Sequence, residues 1–357
     1  MRTHRLLFAL MLLASPMARG DPLQWEFLLL PSAEVVGTFN RDAPVTQIND
    51  ETLKADSLLS LQKGQFKFFA EYLLSDHEGD LERFQLGWQL SSDTVIWIGR
   101  YHQPSSVWNH DHHHGQYLQT SITRPDIDEW EDLGGVLPQH FTGMLIESGK
   151  QVGKGWRLRT ALAGGIAPNI SSEGLEPFDL VHPSMDRHTM GYQARASLHP
   201  NEFTETGFGL LVADDKLAWV GTPATPPQVN FDHADLRLIG LFGTYAGDNW
   251  KISGTVYHAD ARLYYVGSII NDNFDVGYVQ AEMRFPHELT GFVRWEDSSG
   301  TDSQYLQLFE EFARIRYIGG LRWDFVSRQA LTVQFGNTHT LNGKYDDIRV
   351  QWSAAFF

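Results

Sequence analysis

Almost everywhere after residue 50 the chain alternates in recurring stretches, with large apolar side chains on every second position and polar ones between. In Phe84-Gln85-Leu86-Gly87-Trp88-Gln89-Leu90 the even positions are apolar. In Trp156-Arg157-Leu158-Arg159-Thr160-Ala161-Leu162 the even face is again mostly apolar and the odd face carries two arginines. Val279, Ala281, Met283 and Phe285 interleave with Gln280, Glu282 and Arg284. Ile315, Tyr317, Gly319, Leu321, Trp323 and Phe325 interleave with Arg316, Ile318, Gly320, Arg322 and Asp324. A strand turns successive side chains to opposite faces, so this period predicts strands with one apolar and one polar face.

Sixteen such segments are expected, at 25–38, 52–62, 65–76, 80–91, 94–102, 139–149, 154–165, 188–199, 203–215, 234–246, 249–261, 273–285, 289–298, 314–327, 329–341 and 345–357. The first is interrupted by Pro31, which lacks a backbone donor. Connections after even-numbered strands are mostly tight, such as Gly247-Asp248 and Pro286-His287-Glu288. After odd-numbered strands they are mostly long: 39–51, 103–138, 166–187, 216–233, 262–272 and 299–313. Short turns at one end and long loops at the other are the asymmetry of transmembrane barrels, and a soluble sandwich has no reason to sort its turns by parity.

Parity alone leaves open which face looks inward, since a secreted soluble barrel would bury the apolar one. The ends of the chain bear on this. Arg2 and Arg5 precede a short apolar run, Leu6 to Ala14, and Ala18-Arg19-Gly20 offers small residues for cleavage before Asp21. That run is too short to span a bilayer and has the layout of a secretory signal over residues 1–20, leaving 21–357 as one barrel domain. No later stretch approaches the ~18 apolar residues of a helical span. With no cysteine, neither disulfides nor thiolate metal sites are expected. The formal charge is −16; without the leader's three arginines, 25 bases face 44 acids, or −19. Nucleic-acid binding is therefore not expected.

The chain closes on Ile348-Arg349-Val350-Gln351-Trp352-Ser353-Ala354-Ala355-Phe356-Phe357. This amphipathic strand with a final aromatic resembles the closing strand of Gram-negative outer-membrane barrels. Trp352, Phe356 and Phe357 would then be the assembly signal, with the barrel-assembly machinery as a partner. Phe356 is in phase with Trp352 and Phe357 is not, so Phe357 either overhangs or a bulge shifts the last pairs. Leader, strand lengths, turn asymmetry and closing aromatics together favour apolar-out. The predicted fold is all-β: a transmembrane antiparallel up-and-down barrel in the outer membrane, surrounded by lipid and lipopolysaccharide.

With the apolar face toward lipid, Lys67, Arg83, Arg100, Arg157, Arg159, Arg195, Arg237, Lys251, Arg284, Arg294, Arg314, Arg316, Arg322 and Arg349 are expected to face inward. Facing lipid would cost ~2–4 kcal/mol for each near the midplane. Inward acids are fewer: Glu71, Glu282, Glu296 and Asp324. The longest connection, 103–138, is acidic, aromatic and punctuated by glycine. A sixteen-strand barrel with a long acidic third loop and a basic wall resembles the bacterial porins. The segments GRYHQP, HHHGQYLQTS and DLGGVLP also look like porin-like outer-membrane proteins. The resemblance implies that the third loop folds into the barrel. Asp126, Asp128, Glu129, Glu131 and Asp132 would form the acidic side of a constriction, and the inward arginines its basic side. It also implies a homotrimer and passive diffusion of small hydrophilic solutes or ions.

His110, His112, His113 and His114 crowd around Asp111. Imidazoles suit zinc, copper or nickel, yet adjacent loop histidines do not converge on one ion without a defined turn. The alternative is a polar loop whose histidines titrate near neutral pH, changing conductance between about pH 5 and 7. No nucleophile–base spacing, phosphate loop or cofactor fingerprint is present, so no enzyme and no cofactor are expected. The other readings of such a barrel are an adhesin or receptor, a metal-binding surface protein and, behind these, a barrel hydrolase.

Overall fold

The computed structural model describes residues 22–42, 49–76, 79–112, 115–131, 135–171, 174–178, 180, 187–201, 205–220, 230–299, 303–309, 312–341 and 343–357. The expected leader lies outside them, as do Asp132, His113 and His114. The strands are β1 (Gln24–Phe39), β2 (Asn49–Lys63), β3 (Phe66–Ser75), β4 (Gly79–Ser91), β5 (Thr94–His102), β6 (His140–Val152) and β7 (Trp156–Ile166). After a small hairpin of β8 (Asn169–Ile170) and β9 (Leu175–Glu176) come β10 (Met190–Pro200), β11 (Gly207–Ala218), β12 (Phe231–Ala246), β13 (Trp250–Tyr265) and β14 (Ser268–Phe285). The chain ends with β15 (Leu289–Ser299), β16 (Ala313–Val326), β17 (Gln329–Thr340) and β18 (Lys344–Ala354). Leaving out β8 and β9, sixteen strands form one closed antiparallel barrel in which each pairs with its sequence neighbours and β18 with β1. All sixteen correspond to the segments expected from the alternation.

The outward face is apolar: Trp88, Ile98, Leu162, Tyr192, Leu241, Val293, Tyr317 and Leu321 are exposed. The alternate positions, among them Gln85, Gln193, Gln280, Arg294, Arg322 and Gln334, are buried inside. Polar backbone groups have no water to bond in a bilayer, and a closed ladder satisfies them all internally.

The tight turns also follow the expected parity. The β2–β3 turn needs a left-handed residue and has Gly64 at φ 59°. One expected long connection, 262–272, is corrected. β13 and β14 continue through it to a turn at Val266 and Gly267, because Arg262-Leu263 and Ile270-Asn271 pair in register.

A second correction concerns Arg237. The alternation places Arg237 among the inward bases, between Leu236 and Leu238. In the structure both leucines are buried inside, Arg237 faces outward, and its Nε lies 3.2 Å from Asp214 Oδ2. The apolar phase reverses at Leu238–Ile239, since Ile239 and Leu241 are exposed outside. Lower down, the outside meets an apolar belt. Above it the outside carries Asp235, Asp260 and Arg262, while Leu217, Ala261, Leu263 and Phe274 turn in. There they pack with Trp108, Ile127, Val136, Leu137, Tyr305 and Phe309 of two connections into one hydrophobic core.

The closing seam settles the register of the last strand. Ser32 to Phe39 pair with Ser353 to Asp346. Leu29 and Phe356 exchange two 2.9 Å backbone hydrogen bonds in the same register. No bulge intervenes. Between these stretches sits Pro31, still paired with Ala55 of β2. Phe357 is an overhang, 74% exposed, with the Arg328 guanidinium carbon 4.2 Å from its ring centre.

Candidate functional site: the barrel interior and segment 103–139

Segment 103–139 joins β5 to β6 and is bonded to inward-facing side chains of the far wall. It opens with a short helix, α1 (Val107–His112), and contains, among the described residues, the 3-10 turns Gln116–Leu118 and Asp126–Asp128. Three arginines grip it. Arg294, 2% exposed on β15, donates from Nη1 to Ser121 Oγ (2.9 Å) and Thr123 O (2.8 Å), and from Nη2 to Arg124 O (2.7 Å). Its Nε donates to Glu296 Oε1 at 2.8 Å. Arg322 on β16 donates to the carbonyls of Tyr117 (2.9 Å) and Gln119 (2.6 Å), and to Asp324 (2.8 Å). Arg316 lies 3.7 Å from Asp126 Oδ1 and 4.0 Å from Glu296. A guanidinium has a fixed fork of donors, so Arg294 and Arg322 each satisfy two loop carbonyls at once, while Arg316 acts by charge on Asp126.

Neutral partners complete the grip. Gln334 Oε1 accepts the Ile122 N–H (2.9 Å), and its amide donates to Thr123 Oγ1 (2.9 Å). Tyr257 on β13 donates to Ser105 O (3.0 Å) and Asp128 Oδ1 (3.2 Å). Tyr305, in the β15–β16 connection, donates to Val136 O at 2.7 Å and stacks on Phe274 with ring centres 5.7 Å apart.

The expected acidic row takes a structural part. Asp128 is fully buried, accepting from Ser106 and Tyr257. Glu131 is also buried. Its Oε1 accepts the backbone N–H of Gln139 and His140, and its Oε2 bonds the His140 ring at 2.9 Å. Asp126 Oδ2 accepts the Ala313 N–H at 2.6 Å. Glu129 lies 3.5 Å from Arg124 of the same segment. The physical reason is burial: amides and hydroxyls of the packed segment and of neighbouring strands need acceptors, and these carboxylates supply them. Burial pushes the Asp126 and Asp128 carboxyls up to about 7. For Asp126, Arg316 works against the rise and Glu296 adds to it.

The remaining expected bases divide. Arg83 is paired with Glu71. Arg349 bridges Glu34 (2.9 Å) and Asp347 (2.7 Å), Lys251 pairs with Glu282 (3.1 Å), and Arg100 lies 3.7 Å from Asp80. Arg157 is exposed near the β6–β7 turn, 3.6 Å from Asp93. Arg284 is exposed at the same rim, Arg314 is half-buried beside a bulge at the other end, and Arg159 and Arg195 lie on β7 and β10.

Of the histidine cluster, His110 and His112 lie on α1. The His112 ring bonds Trp108 O at 3.0 Å and lies 4.4 Å from the Trp108 ring. Burial holds its pKa below the ordinary imidazole value, and Asp111 and the Trp108 carbonyl work against that drop. Among the described residues no group of His, Cys, Asp or Glu has the geometry to hold a metal ion.

Inward glutamines were the missed signal. Gln280, Gln334 and Gln193 stand at polar positions of otherwise apolar or aromatic strands, and each bonds the loop or its anchors. Arg124 was also missed. It donates to Asn109 Oδ1 at 2.6 Å and stacks 4.3 Å over Trp130, bracing the segment from within.

No protein-family model and no curated protein sequence matches the chain. Solved structures do. OmpF of Salmonella typhi, solved with daunomycin, aligns over 93% of this chain and 97% of its own, with TM-score 0.60 and 11% identity. The outer-membrane channel DcaP of Acinetobacter baumannii aligns over 94% and 98%, with TM-score 0.59 and 11% identity. OmpT, an outer-membrane protein of Vibrio cholerae, aligns over 96% and 100%, with TM-score 0.57 and 9% identity. The fold is the sixteen-strand barrel of outer-membrane porins.

Proposed function

We propose that the protein is a porin-like channel of the outer membrane, passing small hydrophilic solutes or ions by passive diffusion, and not an enzyme. One observation carries the reading: a closed barrel, apolar outside and polar inside, whose longest connection is bonded to inward side chains of β10 and β13–β17. In this reading segment 103–139 lies within the barrel and narrows it. The aqueous path then runs beside the segment, and selectivity comes from the width and field of that path. Likeness in fold to OmpF and DcaP supports the reading.

The same reading takes Trp352 and Phe356 as the handle for the assembly machinery, lipid and lipopolysaccharide as the surroundings, and a homotrimer as the unit. It assigns the acidic row to anchoring the segment rather than to lining the opening. The test is planar-bilayer conductance of the folded protein, with reversal potentials under a salt gradient. Discrete conductance steps are expected. Folded protein that inserts and never conducts would favour an adhesin or receptor.

A further inference from the structure

We propose that Arg159 and Arg195 together form a binding step for small solutes bearing a carboxylate or phosphate group; this deepens the channel reading and rests on it. The argument begins with charge. Arg83, Arg100, Arg294, Arg316, Arg322 and Arg349 are each within 4.0 Å of a carboxylate, so their fields are largely cancelled in place. Among the described residues, Arg159 and Arg195 have no carboxylate within that reach and no side-chain hydrogen bond.

Register brings the two together. Arg195 pairs with Ala161 and Arg159 with Ser197 across the β7–β10 ladder, so they are diagonal neighbours on one face. Diagonal positions lie about 7–8 Å apart at the backbone, within reach of two long side chains closing on one oxyanion. That face is the inner one, because Leu162 and Tyr192 of the same strands are exposed outside while Ala161, Ala163 and Gln193 are buried inside.

The surroundings leave the pair available. Arg159 is exposed and Arg195 half-buried. Asp111 of α1 and Glu147 of β6 act on Arg195 from a distance, and Glu147 Oε2 is occupied by the Trp97 indole N–H at 2.9 Å. His199 sits one inward position beyond Ser197. Its Nδ1 donates to Thr206 O (3.2 Å) and its Nε2 shares a hydrogen bond with Ser197 Oγ (2.9 Å), so both ring nitrogens are occupied. Gln193, the next inward residue the other way, bonds Ser105 at the start of segment 103–139. The two guanidinium groups therefore lie directly before the point where that segment crosses. Arg284 and Arg314, also without ion pairs among the described residues, stand at opposite ends of the barrel. A solute with two oxygens on one acidic group matches two guanidinium forks, and a monatomic anion matches only their charge.

The test uses full-length protein in planar bilayers under a potassium chloride gradient, then with potassium pyrophosphate added at low salt. Arg159→Gln with Arg195→Gln is expected to lower the anion-to-cation permeability ratio by about threefold, since two unpaired charges leave the path. Pyrophosphate should reduce the wild-type current and leave that of the variant unchanged. Arg159→Lys with Arg195→Lys should keep the ratio and weaken the pyrophosphate block, because lysine lacks the planar fork. Should the double glutamine variant fail to fold, the exposed single Arg159→Gln carries the same direction, and Glu147→Gln the opposite one. A wild-type protein that does not conduct overturns the channel reading and this step with it. A conducting variant with unchanged ratio and undiminished block overturns only the arginine step.

Discussion

Two parts of the barrel wall use the same residue in opposite ways. On β15 and β16, Arg294, Arg316 and Arg322 are buried, ion-paired and bonded to segment 103–139. On β7 and β10, Arg159 is exposed, Arg195 half-buried, and neither has an ion pair among the described residues. A buried guanidinium must be neutralised and its donors satisfied, which makes it a clamp and cancels its reach into water. An accessible one keeps its field. The same side chain thus serves as a clamp on β15 and β16 and stands free of ion pairs, among the described residues, on β7 and β10.

The contrast breaks most visibly at Arg294. Arg294→Ala strands Glu296 and several loop carbonyls in a buried site, which should cost about 3–5 kcal/mol. A lower unfolding midpoint and noisier, larger single-channel currents are expected. Currents of unchanged size and noise would mean that the segment does not depend on this clamp. Tyr305→Phe removes the donor to Val136 O without changing shape, so about 1–3 kcal/mol should be lost. Faster proteolysis within 103–139 would report it.

Asp128→Asn tests the buried acids with a sign that depends on pH. A carboxyl whose folded pKa is raised from 3.8 to about 7 binds a proton more tightly in the folded state. It therefore weakens the fold as pH climbs from about 4 to above 7. Asparagine should raise the unfolding midpoint at pH 8, by an amount worth on the order of 1 kcal/mol, and the gain should vanish near pH 4. An equal change at both pH values would show that the carboxyl does not titrate there. Smallest in stability is Arg159→Gln, within about 0.5 kcal/mol, as for a surface substitution without partners. A larger loss in a thermal melt would reveal a structural role for Arg159 and blur the distinction between the two walls.

Strand number, turn parity and the orientation of the belt were legible because period two is a direct consequence of strand geometry. What alternation does not carry is which medium lies on each side at a given height. Ile239 and Leu238 are both apolar, and one faces the belt while the other faces the internal core. The inversion at Arg237 follows from that core, whose other half comes from residues more than a hundred positions away, such as Trp108 and Ile127. The acidic row shows the same limit: Asp128 and Glu131 read as solvent-facing charges until the amides and hydroxyls that they cap are known. Arg159 and Arg195 were visible as inward bases, but which inward bases lack a partner depends on neighbouring strands.

The seam at Pro31 bears on the order in which the barrel is made. Closing β18 on β1 joins residues more than 300 positions apart, as in the Ser32–Ser353 pair, so it has the largest loop-closure entropy of any strand pairing here. Long-range pairings form late. At that late junction Pro31 supplies no backbone donor, and the Leu29–Phe356 contact lies apart from the continuous ladder that starts at Ser32. Closure is therefore expected in two stages, a long zipper and a separate terminal clasp. Before the clasp engages, the chain's last aromatic residues hang free beside an otherwise finished wall.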